Sequence, residues 1–146
     1  MQQTFFEDIN VGDSIPYRDY GPLTIVDTVR WAGLQENVQH LHFDRDHARQ
    51  HNGLPTFIAS GAYRQALLIR MLTDWIGSRG WLRKINVRHT YSTFEGDNMR
   101  FFARVTEKSS DASDPWITCE LEGKNQENRQ IMTGRCTLIL PIRTGK

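Results

Sequence analysis

The chain has 146 residues, of which 38% are hydrophobic and 24% are charged, and its formal net charge is +1. This length and composition predict one ordinary globular domain, and the interspersed charges provide no basic stripe for a nucleic-acid partner. The first residues lack the cationic and apolar segments of a signal peptide, and no stretch is apolar enough for a membrane span, so we expect no membrane partner and a cytoplasmic location.

The first third of the chain predicts short elements. A turn at residues 11–13 precedes an extended segment that Pro16 and Pro22 interrupt, because proline lacks the N–H group that a sheet ladder needs. Asp27 is a suitable N-cap for a short helix over residues 28–34. After this helix we expect a helical turn and a loop.

The strongest helix is predicted over residues 61–76. Apolar residues occupy most of its faces, which is typical of a buried helix. Strand patterns follow at residues 85–93, 99–106, 116–122 and 131–142. A fully buried helix followed by a four-stranded meander predicts an α+β fold, in which an antiparallel sheet wraps around the helix. Such a sheet leaves a free edge, so a dimer is its natural completion.

The two cysteines, Cys119 and Cys136, fall in the third and fourth of these strands. They would face each other if the hairpin turn is centred on Glu127 and Asn128. Their spacing is not that of a metal or redox pair. We expect buried, reduced thiols.

The most informative run is residues 37–47, with the sequence NVQHLHFDRDH. It contains three of the five histidines and two aspartates. One interpretation is a metal centre, because His40, His42 and Asp44 are spaced like the first ligands of a zinc hydrolase. An arginine, however, follows the aspartate where such enzymes carry a further histidine, and in the strand region only His89 remains to complete a set. We therefore expect no metal.

Ordinary structural roles suit several of these polar residues. Asp44 and Asp46 are good residues for the start of a second brief helix near residue 44. His47 would lie on the exposed face of that helix, and His51 would be a solvated loop residue. His89 continues an alternating strand and is expected on a sheet face rather than as a base.

Six segments, in their order and spacing, resemble the MaoC-like (R)-specific enoyl-CoA hydratases and dehydratases of the hot-dog fold. The segments are residues 9–13, 23–33, 39–48, 58–61, 94–97 and 101–106. The likeness covers nearly the whole chain and implies a sheet wrapped around a central helix. Residues 42–48 and 70–77 are also similar to small subunits of this family that act on the acyl-CoA side chains of steroids.

The resemblance implies a catalytic site. In the family pattern, an aspartate and a histidine five residues apart activate water, and a backbone N–H group at the start of the central helix stabilises the thioester oxygen. Residue by residue, the histidine is His42 and the N–H group lies at or next to Gly61, with Ser60 beside it as a substrate-binding candidate. The aspartate position holds Asn37.

The asparagine is a departure from the pattern, because an amide neither accepts nor donates a proton at useful pH. The usual asparagine and proline of the motif are replaced by Gln39 and His40. Three interpretations stay open. Glu36 or His40 replaces the missing acid, or His42 works alone with a water held by Asn37 and Gln39. In the third, the site is degenerate, and the chain binds an acyl-CoA or supports an active sister subunit.

The favoured function is hydration or dehydration of an acyl-CoA thioester by a homodimer, or by a heteromer with another hot-dog subunit, without a cofactor. A non-catalytic partner subunit is the second hypothesis. A third is a thioesterase, in which Glu36 or Asp44 would direct water at the thioester carbonyl. Basic residues available for CoA phosphates include Arg83, Lys84 and Arg88.

Overall fold

Five strands and three α-helices make up the regular structure of the computed structural model, which describes residues 3–36, 39–111 and 113–143. A single 3₁₀ turn over His40–His42 lies between the first two helices. In chain order, the elements are β1 (Ser14–Tyr20), α1 (Ile25–Gln35), α2 (Arg45–Asn52), α3 (Gly61–Ile76), β2 (Trp81–His89), β3 (Met99–Lys108), β4 (Trp116–Asn125) and β5 (Gln130–Ile139).

The strands form one antiparallel sheet in the order β1-β3-β4-β5-β2. The predicted four-stranded meander is therefore wrong in its order: β2 does not lie beside β3 but at the far edge, paired with β5. The segment that carries the chain from β2 to β3 touches the residues ahead of α3, where Ile58 and Phe94 form an isolated bridge. β1 adds a fifth strand beside β3, despite Pro16 within it, because a proline is tolerated on an edge strand.

The central helix α3 has the predicted bounds and lies against the sheet. Leu68 and Leu72 are fully buried, whereas Ala62 and Thr73 are exposed. The prediction of a helix buried on all sides is therefore wrong for the single chain, because the sheet covers only one face. The sheet's contributions to the core include Met99, Phe101, Ala103, Val105, Ile117, Cys119, Leu121, Cys136 and Leu138.

The starts of α1 and α2 are determined by local hydrogen bonds. Thr24, not Asp27, is the N-cap of α1: Asp27 is the third helical residue and its carboxylate accepts from the Thr24 N–H group at 2.9 Å. The two residues form a capping box, so the helix starts three residues earlier than predicted. Asp44 caps α2 as predicted, accepting from the N–H groups of Asp46 and His47 at 2.9 Å each.

Cys119 and Cys136 are direct cross-strand partners in β4 and β5. The predicted facing arrangement is confirmed, and Asn128 adopts a left-handed conformation in the turn between the strands, with φ 59°. Both thiols are free and buried. The hydrogen bond between them and their burial raise the pKa of Cys119.

Gly134 on β5 allows a test of whether β2 is the neighbour of β5 in the sheet. A Cβ atom there would lie 2.3 Å from the backbone oxygen of Asn86. We expect Gly134→Ala to lower the free energy of unfolding by about 1–3 kcal/mol, because the added methyl group has no room. Urea unfolding measures this. As the control, Gly33→Ala in α1 meets nothing within 4 Å and should stabilise the protein by about 0.5–1 kcal/mol. Equal midpoints for the two variants would contradict the observed sheet order.

Candidate active site

Three of the predicted site residues, His42, Ser60 and Gly61, lie together at the N-terminal end of α3. The segment before the helix is held on two sides, since the Ile58 N–H donates to the oxygen of Leu41 at 3.2 Å and the Ala59 N–H donates to the oxygen of Thr93 at 2.9 Å. Ser60 is the N-cap of α3, and its hydroxyl accepts from the Tyr63 N–H group at 3.1 Å. The predicted substrate-binding role of Ser60 therefore competes with a capping role.

His42 is bound in a single orientation. Its Nδ1 atom lies 2.9 Å from the backbone oxygen of Ile58. Because a carbonyl oxygen can only accept, Nδ1 carries the proton and Nε2 has a free lone pair. The ring is half-buried. In this tautomer Nε2 is the acceptor of the ring.

A small cavity of about 200 Å³ connects His42 with the start of α3, and as it stands it is too narrow to hold a water-sized sphere. Trp31 and Tyr63 both line it, with their ring centroids 5.5 Å apart. The indole N–H of Trp31 is buried and has no partner among the described residues. The cavity is lined by Thr28, Trp31, Ala32, His42, Ser60 and Tyr63.

Gly61, the first residue of α3, is in close contact with a residue that the sequence analysis assigned only to a sheet face. The Nε2 atom of His89 is 2.8 Å from the position that a Cβ atom would occupy on Gly61. The alternation of Ile85, Val87 and His89 points these side chains toward the helix, and this signal was available in the sequence. The contact of His89 with Gly61, in contrast, depends on the position of β2 in the sheet.

Arg64, one turn into α3, is a second functional candidate that the sequence analysis missed. It is only 6% exposed, and its Nη1 group donates to the backbone oxygen of Tyr91 at 2.6 Å. The Nε atom has no hydrogen-bond partner in the described part of the chain. Burial lowers the pKa of Arg64 to about 10, so the guanidinium remains protonated at neutral pH. It places a buried positive charge beside His89.

The other predicted site residues lie farther out. Glu36 is exposed at the C-terminal end of α1, and Gln39 is exposed before the 3₁₀ turn, where its backbone oxygen accepts from the His42 N–H group at 3.1 Å. His40 is exposed, and its ring stacks near that of His47 with 5.1 Å between centroids. Asn37 lies outside the described residues.

The described ranges contain no group of three or more histidine, cysteine, aspartate or glutamate side chains placed to hold a metal. His47 and His51 stack face to face with centroids 4.4 Å apart.

The basic candidates for CoA phosphates lie along β2. Arg83 forms an ion pair with Asp114 at 3.5 Å. Lys84 and Arg88 line a concavity together with Thr118 of β4. Because side chains alternate along a strand, these two lie on the sheet face opposite to His89 and the helix. A CoA arm would have to pass around the free edge of β2 to reach them.

An ion pair holds the start of α2 against the segment that leads into β3. The Nε group of Arg45 donates to Glu95 at 2.7 Å, and Nη2 forms a second bond to the same carboxylate. The Thr56 hydroxyl donates to Glu95 at 2.8 Å. The hydrogen bonds from Arg45, with a smaller contribution from Thr56, lower the pKa of Glu95 to about 2.

This pair predicts a pH-dependent contribution to stability. Because the pKa of Glu95 is lower in the folded protein than its ordinary value of 4.5, the stabilisation is present above about pH 4.5 and is lost as the pH falls toward 2. Glu95→Gln should lower the urea midpoint at pH 7, and its difference from the unaltered protein should shrink between pH 5 and pH 2. Glu127→Gln is the control, since Glu127 is exposed and forms no ion pair among the described residues. If the difference in urea midpoint between Glu95→Gln and the unaltered protein did not change with pH, the ion pair would be contradicted.

No helix in the described ranges has the length and apolar character needed to cross a membrane. The sequence model of the family described as "MaoC like domain" matches residues 8–116. Among curated proteins, no sequence matches this chain.

Solved structures with the same fold include two enzymes and one complex. The unliganded R-hydratase PhaJ1 of Pseudomonas aeruginosa is 19% identical, with a TM-score of 0.83 over 94% of this chain and 86% of that chain. The (R)-hydratase of A. caviae involved in PHA biosynthesis is 20% identical, with a TM-score of 0.84 over 92% of this chain and 99% of that chain. The ChsH1-ChsH2 complex of Mycobacterium tuberculosis is 24% identical, with a TM-score of 0.79 over 90% and 98% of the respective chains. At these identities the likeness shows the fold alone, and it confirms the predicted hot-dog arrangement.

Proposed function

This chain belongs to the MaoC-like dehydratase family, and from that membership we propose that it adds water to a 2-enoyl-CoA thioester, or removes water from the 3-hydroxyacyl-CoA. The observation that carries the proposal is the bond from Nδ1 of His42 to the oxygen of Ile58. That bond leaves Nε2 as a base beside the start of α3. A base and a helix N-terminus are the two parts that hydration of an unsaturated thioester needs.

Both proton transfers of the reaction can pass through His42. Nε2 takes a proton from water while the water oxygen bonds to the β-carbon. The pair of the carbon–carbon double bond shifts to join the α-carbon and the carbonyl carbon, and the carbonyl pair moves to the thioester oxygen. The imidazolium then returns the proton to the α-carbon as the carbonyl re-forms. One histidine can perform both transfers in sequence, which supports the interpretation that His42 acts without a carboxylate partner.

The start of α3 would stabilise the negative charge on the thioester oxygen. The first N–H groups of a helix have no acceptor within the helix, and the helix dipole favours an anion there. The Ser60 hydroxyl already binds the N–H group of Tyr63. Of the remaining first-turn N–H groups, we assign that of Gly61 to the thioester oxygen, because it is the position that the family resemblance indicates.

We further propose that the protein assembles through β2, as a homodimer or with another hot-dog chain. β2 pairs with β5 on one side and forms the edge of the sheet on the other. Trp81 at its start is 63% exposed, which is unusual for tryptophan on a free surface. A neighbour in the fold comparison, ChsH1-ChsH2, is itself a complex of two differently named chains.

A degenerate partner subunit is the second candidate function, and Asn37 in the family's aspartate position is the observation that favours it. The thioesterase alternative is supported less well. The carboxylate of Asp44 is engaged in capping α2, and Glu36 is exposed at the end of α1.

The test uses crotonyl-CoA together with longer and ring-bearing enoyl-CoA thioesters, with two readouts on the same sample. Loss of the enoyl absorbance without release of free CoA supports the hydratase. Release of free CoA supports a thioesterase and overturns the proposal. Binding of acyl-CoA without either reaction, together with co-purification of a second hot-dog chain, would support the partner subunit.

A further inference from the structure

His89 points the Nε2 edge of its ring at the first residue of the central helix. Its Nε2, Cδ2 and Cε1 atoms lie 2.8, 3.0 and 3.4 Å from the position that a Cβ atom would occupy on Gly61. In a helix, Cα–Cβ bonds tilt toward the N-terminus, and the free N–H groups of the first turn point in the same direction. His89 therefore stands on the side of Gly61 from which an anion would approach.

The distance between the two donors is limited by covalent geometry. A Cβ position is about 2.5 Å from the nitrogen of its own residue, so Nε2 of His89 is at most about 5.3 Å from the nitrogen of Gly61. Two donors that each bind one oxygen at about 2.9 Å can be up to about 5.8 Å apart. One ligand oxygen can therefore accept from both groups.

The surroundings keep His89 neutral. Burial and, to a smaller extent, the charge of Arg64 lower the pKa of His89. Arg64 donates to the backbone oxygens of Tyr91 and Ile131 and pairs with no carboxylate within the described ranges. A neutral imidazole carries one N–H group, and within the same ranges no hydrogen bond occupies it. The residue as a whole is exposed.

We propose that His89 is a catalytic residue that donates a hydrogen bond to the thioester oxygen, as the second donor of an oxyanion hole whose first donor is the N–H group of Gly61. This inference rests on the proposed function. His89 would bind the oxygen as negative charge develops on it and would keep its proton throughout. No bond forms or breaks at the imidazole, and the proton transfers remain with His42.

The test compares His89→Phe, which keeps a ring but removes the donor, with His89→Gln, which retains an N–H donor. The probe is butyryl-CoA labelled with ¹³C at the carbonyl, which is saturated and cannot be hydrated. Infrared difference spectra of the bound probe report the polarisation of its carbonyl, because hydrogen bonds lower the stretching frequency. The same variants are assayed for crotonyl-CoA hydration, and thermal unfolding verifies that each variant is folded.

We expect the unaltered protein to shift the carbonyl band to lower frequency, His89→Phe to lose much of that shift, and His89→Gln to recover part of it. The kcat for hydration should fall about 10²–10³-fold in His89→Phe, with less change in the Kd for butyryl-CoA. An equal band shift in the unaltered protein and in folded His89→Phe would overturn the role of His89 and leave the hydratase proposal intact. Failure of the unaltered protein to bind the probe or hydrate any enoyl-CoA would overturn both.

Discussion

Replacing His42 with glutamine is expected to reduce kcat for enoyl-CoA hydration by about 10²–10⁴-fold, the usual cost of losing a general acid–base group. Glutamine gives up the 2.9 Å bond from Nδ1 to the oxygen of Ile58, but the backbone bonds of Ile58 and Ala59 still hold this segment. It offers no base in the place of Nε2. The fold and the binding of a saturated acyl-CoA should therefore be retained. Steady-state kinetics with crotonyl-CoA, together with a direct measurement of butyryl-CoA binding, separate the two effects.

His51→Gln is the matched control for this change. His51 is exposed at the end of α2 and stacks only on His47, so its replacement removes an imidazole without touching the start of α3. We expect unchanged kinetics. If His42→Gln retained full activity, His42 would not be the base, and the proposed proton path would be wrong.

Replacing Asn37 with aspartate is expected to raise the rate of hydration by about 10²–10⁴-fold, because it restores a proton-transfer group at the position the family reserves for one. An amide can hold a water molecule, but it cannot take a proton from it. The measurement is kcat for crotonyl-CoA and for the longer enoyl-CoA thioesters, at several pH values. The acid limb of the profile should gain a second ionisation from the new carboxylate.

Gln39→Glu provides the control for Asn37→Asp, because it adds the same charge two residues further along the chain. It should not reproduce the increase. An Asn37→Asp variant that folds but shows no gain would indicate that residue 37 is not the aspartate position of the family pattern. In that case Glu36 or His40 would remain as the candidates for a second acid.

The starting rate of the unaltered protein decides between the two functions. If it is measurable, His42 works alone or with Glu36 or His40 as the second acid, and the carboxylate only improves a working site. If it is zero and Asn37→Asp creates activity, the chain in its natural form is an acyl-CoA-binding or partner subunit. The position of His89 bears on this choice, because an oxyanion hole with two donors would compensate in part for a missing carboxylate.

Features governed by near neighbours in the chain were predictable. The helix Gly61–Ile76 was predicted with its bounds, because a long apolar pattern and its flanking residues specify a helix locally. The cap of α2 by Asp44 depends on side-chain bonds spanning three residues. The pairing of Cys119 with Cys136 followed from the position of a tight turn, which sets the register of a hairpin.

What the sequence by itself determined is thus the central helix, together with the resemblance that makes His42, Gly61 and Asn37 the candidate site positions. The order of the strands, with β2 beside β5, depends on long-range pairing that no local pattern encodes. That order alone brings His89 within contact of Gly61, although the two are 28 residues apart. The sequence named candidate site residues, but the contact between His89 and Gly61 became apparent only from the packing of the sheet against the helix.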